Sequence, residues 1–362
     1  MSFVLSSFYT ASALGIGNAE TLANYLKGEA PGMRETEGDV PGRRLWFGSV
    51  QAELPPASGA RGNTRTNRLL ALAVREEPAF AEAVAKYGAD RVGIVLGSSN
   101  TGVHEAFGFV ERWIDARSAD PSAAKPAGLD FSMIELGTPS GYLKDLLGAK
   151  GPAYTVSTAC SSAAKAFGAA RRLIASGRCD AVITGGVDGR CRFAMNGFHA
   201  LGALSEGRCR PLAEDRDGIN LGEGVALFVM ERDASGVTFA GIGESSDAYH
   251  ATAPDPEGNG AEAAMRAALA DAGIAPDAVD YVNLHGTGTQ ANDAMETKAV
   301  ARIWPQGVNM ESTKRLTGHC LGAAGAVEAA ICALLVESGR CRTALSNSFA
   351  FGGSNASVIF TA

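Results

Sequence analysis

Three features of this sequence predict an α/β fold built twice, as a five-layered αβαβα sandwich with buried helices at its centre. Strand-like and helix-like stretches alternate along the chain, which implies sheets covered on both faces. The helix-like stretches 161–175 and 321–336 are small or apolar nearly all round, so both belong inside a protein. Both are followed by the same tetrapeptide, Ser176-Gly177-Arg178-Cys179 and Ser338-Gly339-Arg340-Cys341, with glycine where a C-cap residue sits.

The echo can be followed element by element. Phe3-Val4-Leu5 and Val237-Thr238-Phe239-Ala240 read as matching first strands. A helix-like stretch ending in the strand Val92–Gly97 parallels Ala261–Ala272 followed by the strand Val279–Leu284. The extended run Ala153–Val156 enters the first central helix, as Val308-Asn309-Met310 leads through His319 to the second. Ala181-Val182-Ile183 and Thr343-Ala344-Leu345 then follow the shared tetrapeptide. The expected halves are residues 1–235, carrying the nucleophile, and residues 236–362, carrying two histidines, a lysine and a phenylalanine gate. The extra length of the first half, about residues 105–150 and 188–215, is expected to cap the active face.

Composition narrows the function classes. The chain has 362 residues, 46% hydrophobic and 20% charged, ordinary for a globular protein. A net charge of −7 argues against a general nucleic-acid binder. No apolar run reaches membrane-spanning length, since Ala329–Val336 is bounded by Glu328 and Glu337. The start, Met1–Leu5, lacks the basic region of a signal peptide. Seven cysteines without a C-x-x-C pair fit a reducing cytosol better than a disulfide framework or a metal site. The expectation is a cytoplasmic protein with no metal and no membrane or nucleic-acid partner.

The chemistry-bearing residues cluster at element ends. Most free cysteines are buried and inert. Cys160, in Ser157-Thr158-Ala159-Cys160-Ser161-Ser162, instead sits at a strand-to-helix corner, where unpaired N–H groups and the helix dipole favour a thiolate. His285 follows a strand, in His285-Gly286-Thr287-Gly288-Thr289. Lys314 and His319 enter the second central helix, at a corner equivalent to that of Cys160. A glycine-rich turn, Asn347–Asn355, joins the last two strands. One thiol with two histidines suits acyl-thioester chemistry. The thiol takes the acyl group, imidazole N–H groups stabilise an enolate, and backbone N–H groups hold tetrahedral oxyanions. A hydrolase triad needs one histidine oriented by a carboxylate, and none is evident beside either.

These motifs, with Arg210-Pro211, Arg216-Asp217-Gly218, Gly222-Glu223-Gly224 and Thr317–Gly325, resemble the elongating β-ketoacyl-acyl carrier protein synthases of the thiolase superfamily. The resemblance runs over nearly the whole chain and implies a thiolase-like fold and decarboxylative Claisen condensation with malonyl-acyl carrier protein. It implies that Cys160 carries the acyl chain, that His285 and His319 stabilise the enolate, and that Lys314 holds His319, with Glu328 as intermediary. Phe351 would donate an oxyanion N–H and gate the pocket, beside Phe349, Gly352 and Phe198. Thr287 and Thr289 would bond the pantetheine arm. No cofactor is implied beyond the phosphopantetheine of the carrier protein.

Departures from the family are visible too. Ala350 stands where the family usually has glycine, which restricts the gate. Asn100, in the loop that helps form the family's acyl pocket, replaces an apolar residue; it suits a conjugated or oxygenated chain, or it points elsewhere. The resemblance implies a dimer, either of two copies or with a chain-length-factor-like homologue; the short connection from Cys341 to Asn347, similar to that of aryl polyene ketosynthases, points to the second. Arg61, Arg65 and Arg68 are spaced to share a helix face, and the resemblance puts them near the carrier-protein entrance. Two rival readings are a non-catalytic chain-length factor and a coenzyme A-dependent thiolase using a second cysteine, for which Cys320 is the candidate.

Overall fold

The alternating elements form two five-stranded sheets of identical strand order that join along one seam into a single large sheet; among the described residues a small three-stranded sheet of Met33–Glu37, Arg44–Gly48 and Leu221–Gly222 stands apart. The computed structural model describes residues 2–56, 59–126 and 128–362. In the first sheet the strands are β1 (Phe3–Ser12), β2 (Val92–Gly97), β3 (Ala153–Val156), β4 (Ala181–Asp188) and β5 (Gly224–Arg232). In the second they are β6 (Val237–Ser246), β7 (Tyr281–Asn283), β8 (Met310–Glu311), β9 (Thr343–Phe349) and β10 (Ser354–Thr361). The order runs β3-β2-β4-β5-β1 and continues β6-β10-β9-β7-β8, so both sheets read third, second, fourth, fifth, first. Antiparallel pairing of Val4 with Thr238 and Leu5 with Val237 joins them. In each sheet the second strand pairs in parallel with the third and the fourth, as expected where helices make the crossovers.

The layers follow from which residues can be buried on both sides. Helices α1 (Arg65–Glu76) and α2 (Ala79–Tyr87) cover the outer face of the first sheet. Helix α4 (Asn259–Ala272) and helix α5 (Gln290–Ile303) cover the outer face of the second. Between the sheets lie α3 (Ser162–Ala175) and α6 (Ala324–Glu337). Every residue of α6 from Ala324 to Val336 is buried. The two central helices approach closely at Gly325, where a Cβ would stand 3.0 Å from the backbone nitrogen of Ala164.

Aromatic packing ties the layers together. The Phe167 ring of α3 contacts Phe228 of β5 and both Phe239 and Phe360 of the second sheet, with centroids 5.0–5.9 Å apart. Truncating such a ring to alanine typically removes about 3–5 kcal/mol of stability. The segment around 188–215 does roof the cavity described below, through Phe198, Leu201 and Ala203. Residues 105–150 do not: their helices, Val103–Ala119 and Thr138–Leu147, lie away from that cavity. No described helix is long and apolar enough to cross a membrane.

Candidate active site

Cys160 is set by a strained corner between β3 and α3. Ala159, just before it, has φ 52°, in the left-handed region that side-chain-bearing residues rarely adopt. Short polar bonds hold the turn: Ser162 Oγ accepts from the Thr158 N–H at 2.9 Å and donates to the Ala159 carbonyl at 2.5 Å. The sulfur lies 2.9 Å from His319 Nε2. The Cys160, His285 and His319 ligand-type atoms all fall within 4.8 Å of one another, and the two imidazoles meet edge to face with centroids 5.4 Å apart. A tetrahedral ion held by sulfur and nitrogen needs them about 3.5 Å apart, so the 2.9 Å contact favours hydrogen bonding over coordination.

Each histidine is pinned through its backbone. The His319 N–H donates to the Asn220 carbonyl at 2.8 Å, and its own carbonyl accepts from Gly222 at 3.0 Å. The His285 and Gly286 N–H groups donate to the two carboxylate oxygens of Glu296 at 2.8 and 2.7 Å. One helical turn earlier, Asp293 accepts from Gly288 at 3.1 Å, so two buried carboxylates of α5 grip the whole glycine loop. Neither was singled out from sequence, although Asp293 and Glu296, three apart on one helix, would share a face.

Electrostatics sets the protonation states. Burial, aided by the Lys314 ammonium, holds both imidazoles well below the ordinary histidine range, so each is neutral and offers one ring N–H. Burial also pushes the Cys160 thiol up to about 12, opposed by Lys314 and by the Phe351 backbone N–H facing the sulfur. The helix corner therefore does not make a resting thiolate, as position alone predicts. The thiol therefore gives up its proton only as the sulfur attacks. Burial raises Glu296 to about 7 and Glu328 to about 6.

Lys314 is wholly buried, paired with Glu328, and its Nζ stands 3.4 Å from His285 Nδ1. Its hydrogen-bond partner among the histidines is thus His285, not His319 as the resemblance implied. By accepting at Nδ1, His285 keeps its proton on Nε2. A cavity of about 360 Å³ opens onto Cys160, His285 and His319, and Phe198, Thr287, Thr289, Phe349 and Phe351 line it. Phe198 and Phe351 stack at 5.6 Å across its mouth. The Thr287 and Thr289 hydroxyls lie 2.9 Å apart, and Thr289 also caps α5.

Other expected positions fall elsewhere. Gly352 and Asn100 do not line this cavity. The Gly352 N–H donates to the Ala251 carbonyl, and Asn100 is buried with its N–H on Asp188 at 2.9 Å. The three arginines do not share one helix face, because Thr64 caps a new helix at Arg65. Arg65 is bound to the buried Glu223, and Arg68 donates to the Leu54 and Pro55 carbonyls at 2.9 and 3.0 Å. Arg61 alone keeps a loose surface pairing, 3.6 Å from Asp145.

Family models agree with this arrangement. Residues 65–235 match the N-terminal domain of β-ketoacyl synthases and residues 237–346 match the C-terminal domain. A 3-oxoacyl-[acyl-carrier-protein] synthase 2 of Staphylococcus aureus is 34% identical over 346 residues, covering 83% of this chain and 85% of the relative. The chain belongs to the β-ketoacyl synthase family. Among solved structures, this ketosynthase is similar to ApeO, determined in complex with its chain length factor ApeC from Xenorhabdus doucetiae. The TM-score is 0.92 and the identity 38%, covering 99% of this chain and 98% of the other. The ishigamide ketosynthase/chain length factor gives a TM-score of 0.90 at 28% identity, covering 99% and 98%.

Proposed function

We propose that this chain is an active condensing enzyme that elongates an acyl chain held on Cys160, using malonyl-acyl carrier protein. The convergence of one thiol and two neutral imidazoles on an open cavity carries this reading. In the first step the sulfur attacks an acyl-carrier-protein thioester, its proton passing to the departing pantetheine sulfur. The N–H groups of Cys160 and Phe351 receive the oxyanion. In the second, the ring N–H groups of His285 and His319 stabilise the enolate left as the malonyl carboxylate leaves as CO2. The enolate carbon then bonds to the acyl carbonyl and Cys160 sulfur is released. Lys314, buried against Glu328, orients His285. Phe351 and Phe198 gate the cavity, and Thr287 and Thr289 meet the pantetheine arm.

The rival readings lose support at the same site. A chain-length factor has no use for an intact thiol and two histidines. A thiolase needs a second cysteine at the substrate, but Cys320 is buried outside the cavity, its sulfur 3.8 Å from the Thr317 and Gly318 carbonyls.

The likeness to ApeO and to the ishigamide ketosynthase/chain length factor supports a chain-length-factor-like partner; an aryl polyene chain as substrate and a cytoplasmic location complete the reading. Arg61 is the docking cation that remains for an acidic carrier protein. The halves are drawn at residues 1–235 and 236–362. Intact-protein mass spectrometry tests the reading. Wild type is expected to gain one acyl mass from its acyl-carrier protein, and Cys160→Ala none while still releasing CO2 from malonyl-carrier protein. Acyl loading of Cys160→Ala, or no CO2 from wild type, would overturn it.

A further inference from the structure

The duplication contains a second corner, equivalent to the first, with no catalytic groups. The offset of 162 residues that aligns Ser176 with Ser338 also aligns Cys160 with Gly322, His319 with Ser157, and Ala350 with Asp188. Strand register carries the match further. Ile94 pairs with Ile183 as Val282 pairs with Leu345, so Gly97 answers to His285 and Ser98–Asn100 to Gly286–Gly288. The backbone repeats as well: Leu321, the counterpart of Ala159, has the same φ of 52°. His319 therefore precedes the true counterpart of Cys160, Gly322, by three residues.

What fills the second corner is Asp188, a carboxylate with no exposed surface. Its Oδ1 accepts from Ser98 Oγ at 2.8 Å and from the Ser99 and Asn100 N–H groups at 3.0 and 2.9 Å. Its Oδ2 accepts from the Ser99 N–H at 3.0 Å, Ser99 Oγ at 2.8 Å and the Gly322 N–H at 2.7 Å. The Gly322 N–H is the counterpart of the Cys160 N–H, which in the condensing reading receives the oxyanion at the working corner. A carboxylate oxygen thus stands permanently where the other half receives a transient oxyanion. The space is full: a Cβ on Gly322 would lie 2.7 Å from both Asp188 Oδ2 and the Ser99 nitrogen. A buried carboxylate persists only when its oxygens are satisfied, and here three N–H groups, two hydroxyls and the start of a helix do so.

We propose that Asp188 is a positioning residue, an internal anion that seals the degenerate corner and locks Gly322, three residues beyond His319, to the Ser98–Asn100 loop. Through that lock it fixes the distance from His319 to Cys160. The assignment rests on the condensing reading above, because the decarboxylating imidazole is what it serves. A displacement of about 1 Å at such a group lowers turnover by up to about 100-fold.

The test combines two variants and an anion. Asp188→Asn keeps the shape but turns an amide toward N–H donors. It is expected to lower kcat for CO2 release from malonyl-carrier protein about 10-fold or more while leaving KM unchanged. Gly322→Ala strains the same lock from the other side, so the double variant should be no worse than the weaker single variant. Asp188→Ala leaves the donors around a formate-sized space; formate, and not chloride, should raise its melting temperature and restore turnover. Wild-type kcat in Asp188→Asn, a loss in KM alone, additive losses, or no response of Asp188→Ala to formate would overturn the proposal. Absence of CO2 release from wild type would instead overturn the condensing reading, and the formate-dependent melting shift would still judge the lock.

Discussion

At the start of one central helix a sulfur faces an open cavity; at the start of its partner a carboxylate is closed in by backbone. Ala159 and Leu321 share one unusual φ, and each precedes a helix start whose N–H groups can receive negative charge. One corner keeps that capacity for substrate, and the other satisfies it with Asp188. The difference teaches that the backbone frame supplies geometry to both halves, while chemistry depends on what each corner leaves open. His285 and His319 stand beside Cys160 at one corner; Gly97 and Ser157 are their sequence counterparts at the other.

Exchanging residues between the corners is the sharpest way to break the comparison. Giving the working half its counterparts, as His285→Gly or His319→Ser, removes a donor to the enolate. Each should lower kcat for decarboxylation about 100- to 1,000-fold, read as CO2 release, with folding retained in thermal melts. Ala350→Asp plants the sealing carboxylate beside Cys160. It should slow acyl loading about 10-fold or more by competing for the oxyanion N–H groups and by disfavouring negative charge on sulfur. Loading at the wild-type rate, followed by mass spectrometry, would mean that the two corners are not interchangeable in this sense.

The smallest expected effect concerns the grip on the His285 loop. Burial raises Glu296 from an ordinary carboxyl value to about 7, so the folded chain binds that proton more tightly than the unfolded chain does. Stability from this group is then greatest below about pH 4.5 and declines as pH rises toward 7. Thermal melts should show wild type losing stability relative to Glu296→Gln across that window. A difference that stays flat with pH would show that Glu296 titrates normally.

Much of this was legible in the sequence, for physical reasons that also mark where reading stops. The repeated tetrapeptide, the apolar helix α6 and the small residues of α3 revealed the buried central layer, although α3 reaches solvent at Arg172. Cys160, His285 and His319 stood out because each lies where a strand ends or a helix begins, the two histidines beside glycine. Asp188 and Glu296 escaped notice, since each works by receiving backbone N–H groups from segments far away in the chain. The arginine triplet misled because spacing assumes one continuous helix, whereas Thr64 starts a new one and Arg65 turns inward to Glu223. The sense of the Cys160 shift was likewise hidden: helix position favours the anion, but full burial outweighs it.

The left-handed residue ahead of Cys160 has one more consequence. Within an isolated peptide spanning 153–175 only the short bonds of Thr158, Ser161 and Ser162 offset the strain of an alanine in that conformation. Reactivity at this cysteine also draws on His285 and His319, which lie more than 120 residues further along the chain, and is thus a property of the assembled layers.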